Sequence, residues 1–372
     1  MSTDLKSPYF IHGVDNVDTP ALIIYLERVN HNIALAIEMV GEVSRLRPHI
    51  KTHKSKQATE LMLQAGITKF KCATIAEAEL LGRSGAPDVL LAYQPSGPKI
   101  GRLISLIQTY RRSRFSCLVD SIEGAHAISE SAAAHHVIID LFIDVNVGMN
   151  RTGISPQNVL KLYAACKNLS GIKIIGLHGY DGHINDADIA IRKERADEVF
   201  AYLINVQKEL ASAGLHQSTI ILGGSPTFPL HAARSGVECS PGTFIYWDKC
   251  YSDLFPDMNF QPAALLLTRV VSVVNETTLC LDLGHKSVAS ENPLNRRVYF
   301  PGHPDLIPVS HSEEHLVVQT PNAQEYHIGD VLYAMPYHVC PTCALYDTAF
   351  VIEKGHIKES WQMAARARMM SV

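Results

Sequence analysis

Arg47-Pro48-His49-Ile50-Lys51-Thr52-His53-Lys54 follows a short apolar run and precedes a helical pattern from Ser55 to Ala65. Its polar residues therefore fall at the carboxyl end of a strand, where open and closed α/β folds keep their chemistry. Lys51 is the candidate nucleophile. A lysine held among cations and partly out of water is more readily neutral, and only the neutral amine attacks a carbonyl to form a Schiff base. Arg47, His49, His53 and Lys54 are the cations expected around it. The competing reading is a solvated basic patch that touches phosphate or nucleic acid. Against that reading stand a net charge of −4 and Pro48, which stiffens the backbone at the strand end.

Working outward, short apolar runs alternate with longer helical patterns from Leu46 to about Ser240, the signature of repeated βα units. The runs are Leu46–Ile50, Lys69–Ala73, Asp88–Ala92, Phe115–Val119, Val137–Val145, Ile172–Leu177, Thr219–Leu222 and Gly236–Cys239. Eight such strands, counted from the sequence, close a (β/α)8 TIM-type barrel. Helical patterns are clearest at Ala76–Ser84, Gly101–Tyr110, Pro156–Leu169 and Asp188–Ala213. An earlier run, Ala21–Leu26, makes a ninth strand that must leave the barrel or displace one of the eight. After about Phe255 the texture changes to strands joined by Pro, Gly and Asn turns with no long helix between them, at Ala264–Val274, Thr278–Asp282, Arg297–Phe300, His315–Gln319, Val331–Met335 and Ala349–Glu353. That describes a separate, mostly-β C-terminal domain.

Composition narrows the class. The 372 residues are 47% hydrophobic, enough for sizeable cores in two domains. Met1-Ser2-Thr3-Asp4-Leu5-Lys6 carries no apolar signal core, and no run of about 18 apolar residues occurs, so a soluble cytoplasmic protein is expected. Eight cysteines scattered through a long chain read as reduced core residues. A mildly acidic balance leaves no footprint for nucleic acid.

In a barrel, the residues after each strand converge on one mouth. Gly223-Gly224-Ser225 is a turn whose backbone N–H groups aim at one point, and Gly242-Thr243 makes a second on the next strand. Together they suit a phosphate, since late barrel strands commonly hold one. An ordinary glycine turn is the plain alternative. A Schiff-base lysine with a phosphate cradle points to pyridoxal 5′-phosphate. Arg151 then polarises the phenolic oxygen or holds a substrate carboxylate, unless it is a surface ion pair. Tyr180 and His178 are candidates to contact the pyridine ring, or simply buried side chains with satisfied polar ends.

A second chemical stretch is Met335-Pro336-Tyr337-His338-Val339-Cys340-Pro341-Thr342-Cys343. In an extended segment, residues two apart face the same way, so His338 and Cys340 present imidazole and thiolate to one divalent cation. Zinc suits those ligands best, with manganese or magnesium as alternatives. Cys340-x-x-Cys343 has no second pair for a structural zinc site, and a redox dithiol belongs at a helix start rather than in a strand-rich region.

Taken together, these motifs resemble the D-threonine aldolase / D-serine dehydratase family, relatives of alanine racemase among fold-type III pyridoxal phosphate enzymes. The most specific parts are Arg47-Pro48-His49-x-Lys51-x-His53-Lys54 and His338-x-Cys340. The resemblance implies that Lys51 carries the cofactor and that Tyr180 lies by the pyridine nitrogen. It also implies that Gly223, Gly224, Ser225, Gly242 and Thr243 bind the phosphate, and that His338 and Cys340 ligate the metal. Gly148-Met149-Asn150-Arg151-Thr152-Gly153 is similar to the racemase segment whose arginine reaches the phenolic oxygen. One departure is Ser240, where the racemases place an arginine facing the pyridine nitrogen.

By the same resemblance Ala21–Leu26 joins the β domain. Residues 1–26 are then an N-terminal segment, 27–255 the cofactor-binding barrel and 256–372 the β domain with the metal site. The implied activity is a metal-dependent lyase reaction on β-hydroxy D-amino acids, by retro-aldol cleavage or β-elimination, in a homodimer. Within the family His-x-Cys marks the dehydratases, whereas Ala92-Tyr93-Gln94-Pro95 and Tyr180-Asp181-Gly182-His183 look more aldolase-like. An amino-acid racemase and a non-enzymatic cofactor-carrying barrel are the rival readings.

Overall fold

Two textures, parallel βα units and antiparallel strands, account for most of the chain. The computed structural model describes residues 9–372, so the Met1-Ser2-Thr3-Asp4-Leu5-Lys6 stretch, judged above to lack a signal core, lies outside the described residues. Contacts cluster into two units: the described residues up to Leu35 with Thr243–Met363, and Ala36–Gly242 with Ala364–Val372. The last residues thus pack with the barrel and not with the β unit, as Ser371 N donates to Glu79 Oε2 at 3.0 Å and Arg102 Nε donates to Val372 O at 2.7 Å. Among the described residues no helix is long and apolar enough to cross a membrane.

The chain enters through β1 (Ala21–Tyr25) and α1 (Leu26–Val40), a helix that runs from the first unit into the second. In the second unit follow α2 (Lys56–Gln64), β2 (Lys69–Cys72), α3 (Ile75–Arg83), β3 (Asp88–Leu91), α4 (Pro98–Thr109), β4 (Arg114–Val119) and α5 (Ile122–Ala134). Then come β5 (Ile139–Val145), α6 (Val159–Cys166), β6 (Ile172–Gly179), α7 (Ile189–Ser212), β7 (Thr219–Leu222), α8 (Phe228–Ala232) and β8 (Val237–Cys239). Side-chain caps start several of the helices: Thr74 accepts from Glu77 N, Ser121 from Gly124 N and Asp188 from Ala190 N.

Strands β2 to β8 form a seven-stranded parallel sheet in sequence order. Residues 46–50 join its two edges. Arg47 N donates to Cys239 O at 2.8 Å and His49 N to Pro241 O at 2.9 Å, while Ile50 N and Lys71 N exchange bonds with Lys71 O and Pro48 O, both at 2.9 Å. Pro48 has no N–H to give, so the segment closes the barrel as single bridges rather than a full ladder. The expected eight-membered ring is thereby complete, and Leu90, Leu118, Phe142 and Ile221 cluster as an apolar layer within it.

Arg47 is buried and locks this closure. Its Nη1 lies 2.5 Å from Asp88 Oδ1 and its Nε 2.7 Å from Glu238 Oε2. Removing the guanidinium strands both carboxylates, although Lys69 and Arg114 still reach them. Arg47→Met is therefore expected to destabilise the protein by about 3 kcal/mol, read as a drop in the denaturant midpoint; an unchanged midpoint would show that the closure does not depend on this pair.

The other unit adds α9 (Lys249–Leu254), β9 (Ala264–Asn275), β10 (Thr278–Leu281), β11 (Val298–Tyr299), β12 (Ile307–His311) and β13 (Leu316–Gln319). It ends with β14 (Val331–Pro336), α10 (Val339–Cys343), β15 (Thr348–Glu353) and β16 (His356–Gln362). Its sheet runs β12-β13-β10-β9-β1-β15-β16, with β14 also pairing to β9 and β11 to β14. The ninth strand candidate is settled here. β1 pairs parallel with β15 and antiparallel with β9, and all five of its residues are buried. Ile23 and Tyr25 pack with Leu265, Leu267, Met335 and Ile352.

Candidate active site

Lys51 sits in the turn after the closing segment, half-buried, with its backbone N–H donating to Nδ1 of His49 at 3.2 Å. Its Nζ lies 5.8 Å from the centroid of the Tyr180 ring. The cations expected around it are corrected by the structure. Arg47 is neutralised by Asp88 and Glu238, and Lys54 is paired with Glu77. Burial pushes His49 well below the usual imidazole range, with Lys51 and Lys71 adding to the effect, and burial takes His53 down to about 3, so both rings are neutral. Charge in the neighbourhood of Tyr180 comes instead from Arg151, 4.7 Å from the ring centroid, and from Lys71 at 5.7 Å.

Lys71 was not singled out from the sequence. It lies in β2, 5% exposed, and its Nζ is 2.8 Å from Nε2 of His178. His178 Nδ1 is 2.7 Å from Asp144 Oδ1, and Asp144 and His178 are register partners on β5 and β6. Burial above all, then the charge of Lys51, brings Lys71 down to about 7. Desolvation lowers His178 as well, while hydrogen bonds from His178 and Thr152 hold Asp144 below the carboxylate range despite its own burial. A sequence signal existed: a lysine inside a strand buried in a barrel requires a partner.

Arg151 is aimed by a tightly folded loop. Asn146 Oδ1 accepts from Gly148 N at 3.0 Å and Asn150 N at 3.2 Å, and Gly153 N donates to Asp120 Oδ2 at 3.1 Å. Gly153 adopts φ +100°, and a Cβ there would lie 2.6 Å from Asn146 N, so no other residue fits. A small cavity between this loop and Tyr180 is bordered by Asp144, Asn146, Arg151 and Thr152.

The Gly-Gly-Ser turn lies at the end of β7. Gly224 N donates to Asp181 Oδ1 at 3.1 Å, Asp181 Oδ2 accepts from His231 Nε2 at 2.8 Å, and Gly242 N donates to Ser225 Oγ at 3.2 Å. Asp181 thus anchors the turn from beneath, a role with no motif of its own. Ser240 Oγ is buried and, among the described residues, has no hydrogen-bond partner. An orphaned hydroxyl between two glycine turns is what a site for a polar ring and its phosphate leaves behind. The residues present therefore fit pyridoxal phosphate.

In the β unit, His338 and Cys340 are joined by a side-chain hydrogen bond. The extended segment expected there is corrected: the chain turns into α10 at Val339, with His338 in the capping position. Pro341 falls in the helix's first turn, where its missing N–H is not needed. Val339 N donates to Asp248 Oδ2 at 3.1 Å. With Cys340 at a helix start, the strand-based objection to a dithiol falls away, and Cys340 and Cys343 are not joined in a disulfide.

His338 Nδ1 lies 2.5 Å from Glu291 Oε1, which leaves Nε2 for a cation in the arrangement usual for metal-bound imidazoles. Burial opposes its protonation, but Cys340, Glu291 and Asp248 outweigh that and raise it to about 9. Thr243 Oγ1 is 3.4 Å from Cys340 Sγ, which places Thr243 with the thiol in this unit. Among the described residues no three His, Cys, Asp or Glu side chains converge as a metal-holding group. Imidazole and thiolate are a chemically sound donor set for a divalent cation with open coordination places. Glu291 lies far from the motif in sequence, and no spacing rule would have found it.

A parallel barrel with a strand-end lysine, followed by a β unit with a His-x-Cys pair, defines a cofactor-dependent amino-acid enzyme of the alanine racemase fold. Residues 24–249 match the alanine racemase N-terminal domain and residues 263–352 a putative serine dehydratase domain; the chain belongs to this family of fold-type III pyridoxal phosphate enzymes. It is 29% identical over 360 residues to the D-threonine aldolase of an Arthrobacter species, covering 94% of this chain and 93% of that protein. With the D-threo-3-hydroxyaspartate dehydratase of a Delftia species it shares 22% over 370 residues, covering 93% and 97%. The crystal structure of D-threonine aldolase from Filomicrobium marinum superposes with a TM-score of 0.88 at 26% identity, covering 96% of this chain and 97% of that one.

Proposed function

We propose that this chain is a pyridoxal phosphate- and divalent-metal-dependent lyase acting on β-hydroxy D-amino acids. The observation that carries the reading is the joint presence of Lys51 against the Tyr180 ring in one unit and of the His338–Cys340 pair, oriented by Glu291, in the other. A racemase has no use for the second. Similarity to aldolases and dehydratases along nearly the whole chain supports it.

In this reading Lys51 would hold the cofactor through its amine, Ser240 and Tyr180 would serve its ring nitrogen, and Arg151 would serve its phenolic oxygen. Gly223, Gly224, Ser225, Gly242 and Thr243 surround the phosphate. Pyridoxal phosphate, when bound, supplies the electron sink for cleavage of a bond at Cα. His338 and Cys340 hold the cation, for which zinc is the best match. The protein's own contribution is to choose which bond at Cα is aligned for cleavage. If that bond is Cα–Cβ, a base takes the β-hydroxyl proton and the products are glycine and an aldehyde. If it is Cα–H, the Lys51 amine would take the proton, the β-hydroxyl would leave as water, and hydrolysis of the released enamine would give a 2-oxo acid and ammonia.

The test incubates pure holoenzyme with D-threonine and with D-serine, with and without a chelator, and assays glycine, pyruvate and 2-oxobutanoate. Glycine from D-threonine identifies an aldolase, and 2-oxo acids identify a dehydratase. Either activity is expected to vanish with the metal. Racemisation that survives chelation, or bound cofactor with no turnover at all, would replace the lyase reading. A homodimer, by family resemblance, and a cytoplasmic setting, from composition, complete the proposal.

A further inference from the structure

The Gly223–Ser225 turn is backed by a chain of polar side chains that the chemistry above does not use, all of them in the barrel unit. Arg234 Nη1 donates to Nδ1 of His231 at 2.5 Å, which leaves the proton of that ring on Nε2. His231 Nε2–H donates in turn to Asp181 Oδ2 at 2.8 Å, and the other carboxylate oxygen, Oδ1, accepts from Gly224 N at 3.1 Å. Asp181 and His231 are both fully buried. Arg234 is itself seated, paired with Asp197, donating to Ala196 O at 3.1 Å and lying 4.5 Å over the Phe200 ring. Gly223, at φ +83°, passes over the imidazole, where a Cβ would lie 3.3 Å from His231 Cδ2. Gly223 O accepts from Ser240 N at 3.1 Å, so the peptide between Gly223 and Gly224 is fixed at both ends. Burial raises Asp181, but bonds from His231, Thr227 and Gly224 N outweigh it and hold the group below the ordinary carboxylate range, so both oxygens are acceptors.

We infer that Asp181, seated by His231 and Arg234, is a positioning residue through which the barrel selects a phosphorylated cofactor over the same ring without its phosphate. The inference rests on the pyridoxal phosphate reading above. Gly224 N–H is taken by the carboxylate, so Gly224 serves the phosphate as a frame and not as a donor. A peptide held in this way is not free to rotate, and the turn keeps one shape before any anion arrives, so binding does not have to order it. Only a carboxylate meets the demand. Gly224 N–H and His231 Nε2–H are two donors aimed at the two oxygens of one side chain, whereas an amide offers one acceptor and sets its NH2 against the other donor. The ring end of the site is held separately, since Ser240 N also donates to Leu222 O at 3.2 Å and does not depend on the turn alone.

The test titrates cofactor-free protein with pyridoxal phosphate and, separately, with pyridoxal, reading the visible band that each aldehyde forms with the protein. Asp181→Asn is expected to weaken binding of pyridoxal phosphate about tenfold, the scale of one buried donor left unpaired, and to leave that of pyridoxal unchanged. The readout is the ratio of two affinities measured on one sample, which a general loss of structure does not move selectively. Should Asp181→Asn fail to fold, Arg234→Met, at a half-buried position, serves in its place. It releases His231 from its fixed tautomer and is expected to lower the preference for the phosphorylated aldehyde about threefold, while Arg234→Gln, which still donates to Nδ1, keeps more of it. An equal loss for both aldehydes, a parent-like ratio in the variant, or a parent that binds the two aldehydes alike would overturn the inference. A parent that forms a band with neither aldehyde would overturn the reading of Lys51 and its cofactor instead.

Discussion

Lys51→Ala is expected to yield a folded protein that develops no visible absorbance with pyridoxal phosphate and turns over neither D-threonine nor D-serine. The side chain lies in a turn rather than in a strand, half-buried and without a fixed ion pair among the contacts described, so its loss costs little stability. Its neighbours have other duties: Arg47 and Lys54 are paired to carboxylates, and burial makes His49 and His53 neutral. An undiminished visible band in a well-folded variant would assign capture to another amine, of which Lys71 is the first to test. Thermal melting of the same sample separates this outcome from misfolding.

Cys340→Ala is expected to behave in the opposite sense, keeping full colour while lyase turnover falls by at least about 100-fold, since loss of a direct ligand exceeds the cost of losing an outer partner. Cys340 belongs to the unit that contains the β sheet and Lys51 to the barrel unit, so the amine that binds the cofactor is not altered by the change, while Thr243 loses its 3.4 Å contact with the thiol but keeps its own hydroxyl. Metal content measured on the purified variant should fall in step with turnover. If turnover persists at the parent level, Cys340 is not a ligand and its contact with His338 is only structural. Colour lost together with turnover would point to a folding defect, which the same absorbance scan reveals.

Much of the barrel is legible in the chain because βα repetition imposes it. A parallel strand buried on both faces must be apolar, its crossover must be long, and polar residues survive only at its carboxyl end. The run Leu46–Ile50 was read as a strand and is one in position, but Pro48 removes the N–H that a ladder needs. At 338–340 alternation was the wrong rule. Three residues before a proline look extended on paper, and a short helix with Pro341 in its first turn places the same two side chains together. Strands β12 and β16 went unread because their faces are largely exposed, so hydrophobic pattern carries little signal there.

Sequence by itself determined the class of fold, the lysine at the first strand end, the glycine turns of the last strands and the His-x-Cys pair, because each is a local pattern with a local physical cause. Tertiary structure alone decided which charges act on that lysine. Whether Arg47 is a free cation or a neutralised lock depends on Asp88 and Glu238, far away in the chain. Whether Lys71 is a surface charge or a buried amine with a partner depends on His178 reaching it across the barrel. Electrostatic environment is a property of distances through space and of the water excluded between groups, and neither is written in the order of residues.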